Sequence, residues 1–164
     1  MLKLSKKVDY GFIALMHLAR CDEASSWSAR EIAQKYDLPG GLLAKILQTL
    51  GREGLVVSQQ GTKGGYTLGR PATQIRALEV VEAIEGPVSL AQCFTGEGSC
   101  VQFEKCNLKS PLNQLNDIVI QILSRVTLAH LVDEEFNDLK SPILVPAKSV
   151  ESAAASLEAL PVID

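Results

Sequence analysis

Three cysteines, Cys93, Cys100 and Cys106, fall within the short stretch CFTGEGSCVQFEKC. Each can supply a thiolate, the soft ligand that binds zinc or iron. Six and five residues separate them, wider than the CxxC knuckles of a structural zinc site, and a fourth ligand of that kind is not visible. Wider spacing suits an iron–sulfur cluster, whose iron atoms are spread out and wrapped by the thiolates. Gly96 and Gly98 permit the backbone turns that wrapping requires. From these residues alone, iron–sulfur, zinc, and redox-active or unliganded thiols all stay open. Cys21 has no neighbouring cysteine and reads as a small, partly buried thiol. His17 and His130 sit on largely apolar segments and read as packing or surface histidines.

A second chemistry is written in the charges. The net charge of −3 conceals an asymmetry: residues 1–70 carry ten Lys/Arg against six Asp/Glu, and residues 71–164 carry six against thirteen. The front half is therefore +4 and the rear half −7. A basic front facing phosphates and an acidic rear facing solvent would reconcile nucleic-acid binding with an acidic whole.

The elements that must position these groups follow in chain order. Residues 5–20 place Val8, Phe12, Leu15, Met16 and Ala19 at helical spacing, with Ser5 as N-cap and Asp9 in the first turns. Ser28 with Glu31 forms the capping-box signature of a second helix, Ala29 to Tyr36. Asp37-Leu38-Pro39-Gly40 reads as a tight turn, and Gly41 to Arg52 as a third helix ended by Gly54. Two helices joined by so short a turn are a helix-turn-helix signature. LVVSQQ, GTKGG and YTLGR then read as a β-hairpin, the wing of a winged helix. The glycine-rich turn lacks the Lys-Ser/Thr ending and following helix of a phosphate-binding loop.

Thr73 is expected to cap a fourth helix, Ile75 to Ile84, stopped by Gly86-Pro87. From Pro111 onward, Leu112, Leu115, Val119, Ile122, Val126 and Ala129 keep a 3-4 spacing, widened by Ile118, Leu123 and Leu131. One long helix this apolar needs a partner, and a second copy is the expected one. The fold class is thus mainly α with a β-hairpin wing. The expected organisation is a winged helix-turn-helix domain (1–72), a linking helix and cysteine loop (73–110), a long dimerisation helix (111–136) and a loosely held tail (137–164).

In this arrangement the exposed face of the third helix enters the major groove. Gly40, Gly41, Ala44, Lys45 and Gln48 lie off its apolar stripe. Gln48 can pair with adenine's edge and Lys45 with guanine or phosphate, while the small residues allow close approach. Ser28, Arg30, Lys35, Thr62 and Lys63 are candidate phosphate contacts.

The opening LSKKVDYGFIAL, the wing GTKGGYTLGRP, the stretch EVVEAIEGPVSLAQC, the three cysteines and the later TLAHLV resemble the Rrf-two family of winged-helix bacterial transcription regulators, the IscR, NsrR and SUF-regulator type. The match runs from about residue 1 to 133 in order and spacing. It implies homodimers that bind palindromic promoter DNA and carry an iron–sulfur cluster (2Fe–2S or 4Fe–4S) on Cys93, Cys100 and Cys106. It also implies that Asp9, in the DYG element, supplies a ligand from the partner subunit; Glu104 and Asn107 are nearby alternatives. Two residues depart from relatives. Lys109 stands where IscR-like members place a histidine, and a protonated lysine has no lone pair for a metal. Gln60 replaces the arginine that many relatives carry before the wing glycine, leaving Lys63 as the wing's cation.

The expectation is a cytoplasmic, sequence-specific, iron–sulfur-dependent regulator of cluster assembly (SUF-type) or of nitrosative or oxidative stress genes. The alternatives are a small iron–sulfur electron carrier or scaffold, or a winged-helix interaction module with structural zinc. No nucleophile–base pair or carboxylate constellation suggests an enzyme. No apolar run nears the roughly 18 residues of a membrane span, and the N-terminus lacks the apolar core of a signal peptide.

Overall fold

The computed structural model describes residues 4–21, 25–61, 64–91, 102–136 and 139. Helix α1 (Lys6–Ala19) starts after Ser5, whose backbone carbonyl accepts from the N–H groups of Val8 and Asp9 at 3.0 and 3.2 Å. The Ser5 hydroxyl, expected to cap, instead makes no hydrogen bond among the described residues and is shut from water. Helix α2 (Ala29–Lys35) has the full capping box read from the sequence. Ser28 N donates to Glu31 Oε2 at 2.8 Å, and Glu31 N donates to Ser28 Oγ at 3.2 Å. Helix α3 (Gly40–Arg52) follows one short turn later, begun by Pro39, whose carbonyl accepts from Leu42 N and Leu43 N at 3.0 Å each. Gly54, at φ +69°, ends this segment.

The hairpin is β1 (Val56–Gln59) antiparallel to β2 (Gly65–Leu68), in register from Val56 opposite Leu68 to Gln59 opposite Gly65. Trp27 adds a third edge, pairing with Tyr66 in an isolated antiparallel bridge.

The fourth helix departs from expectation. Residues Ala72–Gln74, including Thr73, form a single 3-10 turn, Ile75 and Arg76 are extended, and α4 runs Ala77–Glu85. The start is capped by Glu79, whose Oε2 accepts from Arg76 N at 2.8 Å. The extended backbone is claimed by a distant segment: Ala77 N donates to the Val126 carbonyl and Leu128 N to the Ile75 carbonyl, both at 2.8 Å. Gly86, at φ +85°, stops α4 as the Gly-Pro pair implies.

The same bridge divides the helix expected over 111–136. Helix α5 (Lys109–Arg125) ends at Val126, and α6 (Leu128–Asp133) turns back against α1. Thr127 caps α6 through His130: His130 N donates to Thr127 Oγ1 at 3.4 Å, and Thr127 N donates to His130 Nδ1 at 2.9 Å. His130 is thereby a capping residue.

The core lies where α1, α3, α4 and α6 meet. Leu15, Leu43, Leu47, Ile75, Val80 and Leu128 are buried there, together with Leu50 and Leu55. Each fully buried side chain of this size contributes roughly 1.5–3 kcal/mol, so stability is concentrated in this body. Helix α5, in contrast, buries just Asn116. Asn116 Oδ1 accepts from Leu90 N at 2.9 Å, fixing the segment after α4 to the side of α5.

Candidate nucleic-acid interface and thiol loop

The α2–turn–α3 unit is positioned by its apolar side. Leu43, Ile46, Leu47 and Leu50 of α3 face the core, as does Ile32 of α2. Asp37 takes the left-handed conformation (φ 52°) that lets the turn close, a conformation short polar side chains tolerate. Burying one stripe leaves the other in solvent: Gly40, Gly41, Lys45 and Gln48 are exposed and Ala44 is half-buried. A hypothetical Cβ at Gly41 would meet nothing within 4 Å, so this corner of the helix is open to a close-approaching duplex. A depression bordered by Arg30, Gln34, Asp37, Gly40 and Ala44 lies between α2 and α3.

Arg30 is exposed on α2, beside this surface. Ser28, the other expected phosphate contact there, has its hydroxyl engaged with Glu31 Oε2 at 2.7 Å. Lys35, the candidate phosphate contact at the end of α2, is exposed but lies over two aromatic rings. Its Nζ lies 5.5 Å from the Trp27 ring centroid and 5.7 Å from that of Tyr36. There the ring faces attract its charge. Thr62 and Lys63, at the wing tip, lie outside the described residues.

Behind the wing sits a group that sequence reasoning did not assemble. His17 is 3% exposed, with its ring 4.4 Å from Trp27 and 5.5 Å from Tyr36, both edge-on. Its Nδ1 lies 3.2 Å from Tyr36 Oη and 3.5 Å from Lys35 Nζ, and its Nε2 lies 3.9 Å from Cys21 Sγ. An ammonium has N–H groups alone to offer, so Nδ1 must present its lone pair and Nε2 its proton. Burial, and then the Lys35 charge, hold the His17 pKa below the ordinary histidine value. The sole tryptophan preceding a capping serine was the available signal, but its ring partner His17 lies 10 residues before it and its backbone partner Tyr66 lies 39 residues after.

The thiol loop is described at its end. Cys106 is a half-buried free thiol between the 3-10 turn Phe103–Lys105 and the start of α5. Cys93 and Cys100 lie outside the described residues. Among the described residues no three His, Cys, Asp or Glu side chains converge. Glu104 and Asn107 are exposed. Asp9 is exposed in the early turns of α1, and its carboxylate makes no hydrogen bond or ion pair among the described residues. On α5, Leu115 and Ile122 are 51% and 41% exposed, an apolar face turned outward. None of the described helices is long and apolar enough to cross a membrane.

A helix-turn-helix braced by a β-hairpin, with its polar stripe open, defines a winged-helix DNA-binding regulator. More narrowly, the chain belongs to the Rrf2 family, described as "Iron-dependent Transcriptional regulator", whose model matches residues 4–134. Family members are transcriptional regulators, not enzymes. Protein aau3 of Rhizobium meliloti (strain 1021) is 35% identical over 132 residues, covering 80% of this chain and 85% of that protein. Among solved structures, CymR (YrzC), the global cysteine regulator of B. subtilis, is similar with a TM-score of 0.66 and 29% identity, over 83% of this chain and all of that one. IscR of T. potens is similar with a TM-score of 0.63 and 25% identity, over 87% of this chain and 94% of that one.

Proposed function

We propose that this protein is a cytoplasmic, homodimeric, iron–sulfur-dependent regulator that binds promoter DNA and governs cluster assembly or a nitrosative or oxidative stress response. Cys93, Cys100 and Cys106 would hold the cluster, and Asp9 of the partner subunit would complete the ligand set. The observation that carries this reading is the exposed Asp9 carboxylate, without a partner among the described residues, on a helix packed into the DNA-binding body. A surface carboxylate in that position is available to a second copy, and the outward apolar face of α5 is a surface on which that copy can dock.

The donor set fits such a group. Cys106 is a free thiol, and three thiolates with the Asp9 carboxylate would give one iron a harder, weaker ligand. A bound cluster supplies redox chemistry and a labile, oxygen-ligated iron. The chain's own residues do the rest. The α5 faces set the separation of the two α3 helices, and Lys45 and Gln48 meet the bases. Arg30, Thr62 and Lys63 meet phosphates and set the register; Ser28 would join them on releasing its hydroxyl from Glu31. Two recognition helices must sit roughly 34 Å apart to enter successive major grooves, so a small rotation at the dimer interface switches binding.

The test is anaerobic purification followed by iron and sulfide analysis and an absorption spectrum. Affinity is then measured for a duplex selected from a random pool. Visible absorption and iron are expected in the native chain and lost when the three cysteines are changed to serine, with an altered duplex affinity. Asp9→Ala should weaken iron retention or uncouple it from DNA binding. Colourless, iron-free protein with unchanged affinity after the serine substitutions would refute the reading.

A further inference from the structure

We infer that Glu79 is a positioning residue joining the wing to the long helix, and that the chain Arg70–Glu79–Arg76–Ser124 carries the disposition of α5 to the DNA-reading body. This inference rests on the regulatory reading above. The two oxygens of the Glu79 carboxylate serve different parts of the molecule. Oε1 accepts from Arg70 Nη2 at 2.7 Å, and Arg70 follows β2 by two residues. Oε2 accepts from the backbone N–H of Arg76 at 2.8 Å. Arg76 in turn donates Nη1 to the Ser124 carbonyl at 2.6 Å. That carbonyl belongs to the last turn of α5, where carbonyls lack an intrahelical partner and the helix dipole favours a cation.

These links are directional. A rotation of α5 displaces the Ser124 carbonyl and either breaks a short bond or draws Arg76 with it. Because the Arg76 amide is bonded to Glu79, the displacement reaches the carboxylate and then Arg70 at the foot of the wing. The paired backbone bonds at Ile75–Ala77 and Val126–Leu128 hold the two segments in register, so motion is transmitted rather than absorbed by slippage.

Arg70 also offers a second arrangement. Its Nε is shut from water and has no hydrogen-bond partner among the described residues, while Nη2 meets Glu79. An enclosed unpaired donor on a charge-paired arginine calls for an explanation. A small shift that lets Nε and Nη2 meet the carboxylate side by side would satisfy it with a bidentate pair. Two discrete arrangements of one contact are what a coupling between distant elements requires. The apolar contacts of α1 with α4 and α6 run alongside but are non-directional.

The experiment compares affinity for the selected duplex between iron-loaded and iron-free dimer, in the native chain, Glu79→Gln and Arg76→Ala. General destabilisation lowers both affinities together, whereas loss of the relay changes their ratio. The expected result is a ratio reduced about two-fold or more in both variants. Ratios within two-fold of the native value overturn the inference. If Glu79→Gln does not fold, Arg76→Ala, at an exposed residue, carries the test. A native ratio of one refutes the regulatory reading, and the relay with it; a native ratio far from one with unaltered variants refutes the relay alone.

Discussion

Trp27 and Tyr66 exchange both of their backbone hydrogen bonds: Trp27 N donates to the Tyr66 carbonyl at 3.1 Å and Tyr66 N to the Trp27 carbonyl at 2.8 Å. The segment entering α2 thus pairs with the wing through a single bridge, tying the hairpin to the helix-turn-helix. Neighbouring Gly65 makes the approach possible, since a Cβ there would lie 2.6 to 2.8 Å from the Trp27 backbone. Backbone atoms held in a ladder cannot yield as a side-chain end can. Gly65→Ala is expected to cost about 1–3 kcal/mol of stability and to weaken duplex binding. Urea denaturation is the check; an unchanged midpoint would mean that the Trp27 edge is not rigid.

The buried His17 makes stability depend on pH. Its folded-state pKa is depressed, first by burial and then by Lys35, with Tyr36, Trp27 and Cys21 the other groups around the ring. The unfolded chain therefore takes up the proton first, near the ordinary value of about 6.5. The neutral ring's contribution is fully present above that value and is lost as pH falls below it toward the folded value. Thermal melting followed from pH 7.5 downward should show this loss, and His17→Gln should flatten that part of the profile. A parallel profile for the variant would remove His17 as the cause.

The outward face of α5 predicts the oligomeric state. Leu115 and Ile122 are one heptad apart and both exposed, so a second copy can cover them together. Replacing both with glutamate should raise the dimer dissociation constant at least about 100-fold, given roughly 1.5–3 kcal/mol for each buried side chain. Analytical ultracentrifugation measures it. A variant that remains dimeric at native concentrations would place the interface elsewhere.

On the exposed stripe of α3, Lys45 and Gln48 should separate by their effects. Lys45→Ala is expected to reduce the slope of log affinity against log salt by about 1 if it meets a phosphate. Gln48→Ala should relax preference at one base pair by about 1–3 kcal/mol and leave the salt slope intact. Titration of matched and single-mismatch duplexes at several salt concentrations reads both. No change in either quantity would take the α3 stripe out of the interface.

Much of the DNA-binding body was legible because its signals are local. The Ser28–Glu31 box, the left-handed stop at Gly54 and the leucine stripe of α3 each involve residues within a turn or two of one another. Their geometry follows from backbone hydrogen bonding and helical period, which any sequence window contains. The open stripe of α3 follows too, since burying one face exposes its opposite. The opening LSKKVDYGFIAL, the wing GTKGGYTLGRP, EVVEAIEGPVSLAQC, the three cysteines and TLAHLV, in that order and spacing, carried the family resemblance.

Tertiary contacts decided the rest. Nothing within LSRVTLAHLV ends a helix as Gly or Pro would, yet the chain breaks at Val126 because its carbonyl is taken by Ala77 N. By the same exchange, Ile75 and Arg76 stay extended and the helix that Thr73 was expected to cap begins at Ala77. A backbone donor satisfied across the fold outweighs a modest local propensity. Lys35, read as a candidate phosphate contact, gains a second role once Trp27 and Tyr36 are brought beneath it. Residues alone set which chemistries this chain can carry. Where the long helix ends, and so what its last carbonyl grips, was fixed by pairing between segments some fifty residues apart, which no local pattern encodes.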